Sequence, residues 1–195
     1  ILYGRLEDEV PLGSVRRLTL YEDYALRLLD DIGIDAVHER VCCLTAWLVD
    51  ALNGLRHSNG RPLIRIHGPR TTEQRGGTIA LSVLDPHGRA IDVRVIERQA
   101  AARNISLRTG CFCNPGVAEA AFSLSRDALV QAFRAEAAPT LDQPAATLGV
   151  EGGGAVRVSL GAPTNFADVY AFVRLMCSFL DTVPDDRDLP ARGHC

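Results

Sequence analysis

Leu63-Ile64-Arg65-Ile66-His67 and Thr78-Ile79-Ala80-Leu81-Ser82-Val83-Leu84 are the two stretches that decide the fold. Each is short and apolar, with β-branched residues that suit a pleated, half-buried surface. Gly68-Pro69 closes the first, and Asp85-Pro86-His87-Gly88 ends the second with turn chemistry. Two strands joined through a Gly-containing loop pair most simply as an antiparallel unit. Downstream, Ile91 to Arg103 has helical spacing, Ile105-Ser106-Leu107-Arg108 is a brief strand, and Ser125 caps a helix running through Leu129, Val130 and Phe133. Residues 135–154 form an irregular insertion, within which Gly152-Gly153-Gly154 reads as a flexible loop. Ala155-Val156-Arg157-Val158-Ser159-Leu160 is the last strand. Thr164 or Asn165 caps a final helix carrying Val169, Phe172, Val173, Met176 and Leu180.

Upstream, the spacing predicts a helix from Tyr21 that Gly33 ends, and a longer one capped by Asp35 and stopping near Asn53-Gly54. The expected domain plan is an irregular segment 1–20, one folded domain 21–180 and a charged, mobile tail 181–195. The fold class is α+β, with about four mostly antiparallel strands and five helices packed on one face.

At 195 residues, with 47% hydrophobic and 23% charged residues, the chain can bury a proper core. A net charge of −3 offers no basic face for nucleic acid. No apolar run approaches the roughly 20 residues that cross a bilayer, so no membrane association is expected. Ile1 to Glu9 lacks the basic-then-apolar layout of a secretory signal. Six cysteines outside any disulfide-like pattern then indicate reduced thiols and a cytoplasmic location. Cys42, Cys43 and Cys177 fall in apolar helical patterns and are expected to be inert. His38, His57, His67 and His87 each lack a ligand-like neighbour and read as core or surface residues, and no metal site is expected. All 21 basic residues are Arg; without Lys, no side-chain amine is present to form a Schiff base.

Thr109 to Gly116 least resembles ordinary core. Two cysteines separated by Phe112 follow a strand ending in Arg108, where a rigid scaffold leaves side chains available for chemistry. A zinc site would need a second Cys/His pair at suitable spacing, and none follows. A redox pair, incidental buried thiols and a nucleophilic cysteine stay open on the residues alone; a nearby guanidinium favours a thiolate.

Leu107-Arg108-Thr109-Gly110-Cys111-Phe112-Cys113-Asn114-Pro115-Gly116 resembles the active-site cysteine loop of molybdenum cofactor sulfurases and related proteins, within the class V aminotransferase and cysteine desulfurase superfamily. His57-Ser58-Asn59-Gly60-Arg61-Pro62, Arg75-Gly76-Gly77-Thr78-Ile79, Val156-Arg157-Val158-Ser159-Leu160-Gly161 and Thr164-Asn165-Phe166-Ala167-Asp168-Val169 resemble further blocks of that superfamily's C-terminal region, in order. The resemblance spans about Tyr24 to Leu180. It implies the small C-terminal domain of a fold-type I pyridoxal-phosphate enzyme that mobilises sulfur from cysteine. Cys113 would be the nucleophile and persulfide carrier, attacking the sulfur of a cofactor-bound cysteine. Arg157 would hold the substrate carboxylate, with Arg108 as a second active-site arginine, and Cys111 would be an accessory. The cofactor-binding residues are unknown.

The resemblance also implies what this sequence does not contain: the large domain with its phosphate cup and Schiff-base Lys. The expected partner is therefore a missing large domain or a homologous subunit, and the superfamily usually dimerises. The unmatched residues at the start suggest a split or truncated coding sequence. Without the large domain and its Lys, the chain is expected to be inactive alone; the alternative is a non-catalytic truncated domain that only binds a partner.

Overall fold

A computed structural model describes residues 15–110, 122, 124–127, 130, 151–185 and 189, without the side chains of 15–23 and 151. The chain divides into two compact units, Ile1–Arg40 and Val41–Cys195.

In the first unit, helix α1 spans Val15–Ile32. It begins six residues ahead of Tyr21, inside the segment expected to be irregular, because Leu18 extends the spacing of Tyr21, Ala25, Leu28 and Ile32 back by a turn. Gly33 ends α1 with φ 86° and donates its N–H to the Leu29 carbonyl at 2.9 Å. Helix α2, Ile34–Gly54, starts at once, since the Gly33 carbonyl accepts its first bond from Val37 N–H at 3.1 Å. Asp35 is thus not the cap. It lies in the first turn, where its negative charge suits the helix dipole.

In the second unit, strands β1 (Ile64–His67), β2 (Thr78–Val83), β3 (Arg108–Gly110) and β4 (Ala155–Ser159) form one sheet in the order β1-β2-β4-β3. Every neighbouring pair is antiparallel. The direct β1–β2 pairing follows the expectation for two strands joined by a Gly-containing loop. The register puts Ile64 opposite Val83, Ile66 opposite Leu81, Leu81 opposite Val156 and Ile79 opposite Val158, so these share one face. Against that face lie Leu48 and Leu52 of α2, Val95 and Ile96 of α3 (Val93–Ala101), and Phe172, Leu175 and Met176 of α4 (Phe166–Cys177), all in one buried cluster. The fold is α+β with these helices on one side of an antiparallel sheet.

Caps set the helix starts. Asp92 accepts from Arg94 N–H at 2.8 Å ahead of α3. Asn165 and Asp168 form a reciprocal capping box ahead of α4, at the position read from sequence. The helix expected after Ser125 lies mostly outside the described residues; Arg126, Asp127 and Val130 are helical.

Two resembling blocks prove to be scaffold. Within 57–62, His57 is buried; its Nε2 lies 3.0 Å from the Leu84 carbonyl, and its Nδ1 accepts from Asp181 N–H at 3.0 Å. Since Nδ1 accepts, Nε2 is the nitrogen that donates. Ser58 donates through both N–H and Oγ to the Asp181 carboxylate, at 2.8 and 2.9 Å, which holds that carboxyl below its usual range. Asn59 donates to the Pro86 carbonyl at 2.8 Å. In the second block, Arg75 donates to the carbonyls of Pro69 and Thr78, bracing the loop before β2. Gly77 has no room for a Cβ, which would sit 2.5 Å from the Leu160 carbonyl oxygen and 2.6 Å from Val41 Cγ1.

Candidate functional site

The face of the sheet turned away from this core carries the candidate residues. Arg108 on β3 stands directly opposite Arg157 on β4, and Arg157 stands opposite Ala80 on β2, which faces His67 on β1. Side chains of directly opposed residues project to the same side of a sheet, so these four form one row. Arg65 and Ser82, also opposed, lie one step along on that side. Arg108 is exposed and Arg157 half-buried. Two guanidinium groups in adjacent strands, with a third on β1, concentrate positive charge on this face, a fit for a carboxylate or another small anion.

By sequence alone His67 is an ordinary core or surface residue. The register puts it in the arginine row, half-buried, with Nε2 2.8 Å from Ser82 Oγ and its ring 5.5 Å from that of Phe122. Burial, assisted by the charge of Arg65, pushes its pKa below the ordinary 6.5. No sequence signal marked it, because only the β1–β2–β4 register aligns His67, Ala80 and Arg157.

Strand β3 begins at Arg108, later than the expected Ile105 start, and extends to Gly110. A three-residue strand is placed by its partner, and along this edge β4 pairs with Arg108, Thr109 and Gly110. Thr109 faces the helix side and donates to Glu97 of α3 at 3.2 Å. Beneath Gly110 lies Gly154, where a Cβ would come within 2.7 Å of Gly110 Cα. Gly152, Gly153 and Gly154 have φ of 66°, 73° and 127°, and a Cβ on Gly152 would lie 2.7 Å from the Ile91 carbonyl oxygen. The glycine run read as a flexible loop is thus a close-packed approach to β4 that only glycine permits. It seats β3 where the chain leaves toward the cysteines.

Cys111 and Cys113 lie outside the described residues, so the sheet brings Arg108 and Arg157 together without describing either thiol. Of the other cysteines, Cys42, Cys43 and Cys177 form no disulfide. Lying in apolar helical patterns, they are expected to be inert, yet none is fully buried. Cys43 is exposed and Cys42 and Cys177 are half-buried, because α2 buries Leu44, Leu48 and Leu52 and turns position 43 outward.

Among the described residues no group of three or more His, Cys, Asp or Glu side chains could hold a metal ion, and no helix is long and apolar enough to cross a membrane. A cavity of about 460 Å³ lies between Arg103–Leu107, the end of β4 and α4, and its lining does not include Arg108 or Arg157.

No protein-family model matches the chain. Curated relatives do. The molybdenum cofactor sulfurase of Neurospora crassa is 33% identical over 187 residues, covering 94% of this chain and 20% of that protein. The Bos taurus molybdenum cofactor sulfurase is 29% identical over 147 residues, covering 74% and 16%. Among solved structures, the cysteine desulfurase of Thermococcus onnurineus aligns with a TM-score of 0.48 at 17% identity, over 79% of this chain and 28% of that one. The chain therefore spans a fifth or less of the length of these curated relatives. The similarity over nearly the whole of this chain decides the family: the chain belongs to the molybdenum cofactor sulfurase-like proteins.

Proposed function

We propose that the chain is the sulfur-accepting, substrate-gripping part of a molybdenum cofactor sulfurase-like enzyme of the reducing cytoplasm. Arg157, backed by Arg108, binds the carboxylate of a cysteine substrate. The Cys113 thiolate attacks that substrate's sulfur; the new S–S bond forms as the substrate's C–S bond breaks, and the carbon skeleton leaves as alanine. Cys113 then carries the sulfur as a persulfide, with Cys111 as an accessory thiol. The observation that carries this reading is the direct opposition of Arg108 and Arg157 on the face away from the core, on the strand that runs into the cysteine segment.

Pyridoxal phosphate, which the family implies, does not fit this chain by itself. Its covalent seat is a side-chain amine, and all 21 basic residues are Arg. The amine and the phosphate cup lie outside these 195 residues, in a large domain or a homologous subunit. This chain contributes charge, shape and thiol. Guanidinium groups suit the first task, since a planar fork grips a carboxylate with two parallel bonds.

The test is reconstitution with a lysine-containing large domain of a family member, in a background where the terminal Cys195 is Ser. Cysteine should then load persulfide on this chain, mapped by mass spectrometry. Cys113→Ser should abolish the loading and Cys111→Ser should leave it measurable. Arg157→Ala should raise the KM for cysteine by about tenfold or more, as expected on losing a charge-assisted contact. Loading on Cys111 alone would move the nucleophile two residues upstream. Tight association without persulfide on either thiol would favour the partner-binding domain.

A further inference from the structure

The arginine-bearing side of the sheet is open at one end and covered at the other. Along β2, Thr78 is exposed, Ala80 half-buried and Ser82 buried; along β4, Ser159 is exposed, Arg157 half-buried and Ala155 buried. Residues two apart on a strand share a side, so both strands show the same gradient, and Arg157 stands where the cover begins. At the covered end Ser82 Oγ lies 2.8 Å from His67 Nε2, and the His67 ring lies 5.5 Å from the Phe122 ring, tilted by 59°. That separation and tilt fall within the range in which aromatic rings attract. The imidazole thus meets a buried hydroxyl through its polar edge and a phenyl ring through its body.

The sequence that carries Cys111 and Cys113 leaves the sheet at Gly110 on β3, at one edge. Phe122, helical and half-buried, follows both cysteines and meets His67 on β1, at the opposite edge. A segment tied at Gly110 alone would be free to leave the sheet in any direction. The second tie confines its far end to the side on which Arg108 and Arg157 lie. His67 does not act there as a third cation, because burial, then the charge of Arg65, favours its neutral form. An apolar residue in its place would strip Ser82, 4% exposed, of this hydrogen-bond partner.

We propose that His67 is a positioning residue: it seats Phe122 and so fixes, on the arginine side of the sheet, the far end of the segment carrying Cys111 and Cys113. The kinetic consequence rests on the sulfur-transfer reading above; the placement itself does not.

Alkylation of Cys111 and Cys113 by iodoacetamide in the full chain, with Cys195 replaced by Ser and rates mapped by mass spectrometry, tests the placement without any partner. His67→Gln and Phe122→Ala should each speed both alkylations by about fivefold, the size of one aromatic pair. The double variant should do no more than either, because both remove the same contact. His67→Phe should keep the wild-type rates, although it costs stability by leaving the Ser82 hydroxyl without its partner. Phe122→Leu repeats the measurement if Phe122→Ala fails to fold. In the reconstituted enzyme, His67→Gln should lower kcat for persulfide loading about fivefold and leave KM for cysteine within twofold, the reverse of Arg157→Ala. Alkylation rates untouched by His67→Gln, additive effects in the double variant, or His67→Phe acting like His67→Gln overturn the proposal. A raised KM with kcat unchanged overturns it equally, and makes His67 part of the carboxylate grip. A reconstituted wild type that loads no persulfide defeats the sulfur-transfer reading alone, and the alkylation rates then decide the placement.

Discussion

On one face of the sheet Ile79, Leu81 and Val156 have at most traces of exposed surface, while one residue along the same strands Ala80, Arg157 and Ser159 are half-buried or exposed. The backbone hydrogen bonds serve both faces equally, so what separates them is side-chain chemistry. The helix-covered face excludes water and sets stability. The other face holds three arginines and a histidine, polar groups that are costly to bury without partners. The lesson is that register separates the two faces: a slip of one residue in β4 would bury Arg157 and expose Val156, losing the core and the candidate site together.

The sharpest way to break this division is to damage each face in turn. Leu81→Ala, fully buried between β1, β4 and the helices, should destabilise the fold by about 2–5 kcal/mol in chemical denaturation, with the slope unchanged. Gly154→Ala comes next, at about 1–3 kcal/mol, because a Cβ at φ 127° would press on the backbone of Gly110. It should also lower persulfide loading in the reconstituted enzyme by shifting β3. Gly76→Ala is the control: it has open space, no positive φ, and should change neither measurement.

A smaller effect separates the faces by pH. His67 has a folded pKa below its ordinary 6.5, from burial first and Arg65 second. Between the two values the unfolded chain binds more protons than the folded one, so stability rises with pH. The His67 contribution should be complete above about pH 6.5 and fall away as pH drops toward the lower folded value. Unfolding free energies measured across that window should lose this slope in His67→Gln; an unchanged slope would assign it to another group. The smallest change is Arg108→Ala, which should leave stability within about 0.5 kcal/mol, since the side chain is exposed. If Arg108→Ala instead unfolds the protein, the second face is structural and the division fails.

Much of the scaffold was legible because local signals sufficed. Strands β1, β2 and β4 fall within a residue of their β-branched runs, α2 stops at Gly54, and α4 starts behind Asn165. Those boundaries depend on propensity, caps and turns, which act over a few residues. The site was legible only in part. The cysteine segment and both arginines could be named from resemblance, yet nothing local could show that Arg108 and Arg157 stand opposite each other, or that His67 shares their row.

Sequence by itself determined the residue types, the antiparallel α+β class and the absence of a Schiff-base amine, because alternation, capping and composition are properties of the chain taken a few residues at a time. Tertiary structure decided the sheet order β1-β2-β4-β3, the late start of β3 at Arg108 and the outward turn of Cys43. It also turned an apparently loose glycine run into a contact with no space for a side chain. Each of these depends on which distant segment arrives alongside, and that is settled by the burial of Leu81, Val156 and their helix partners against one another.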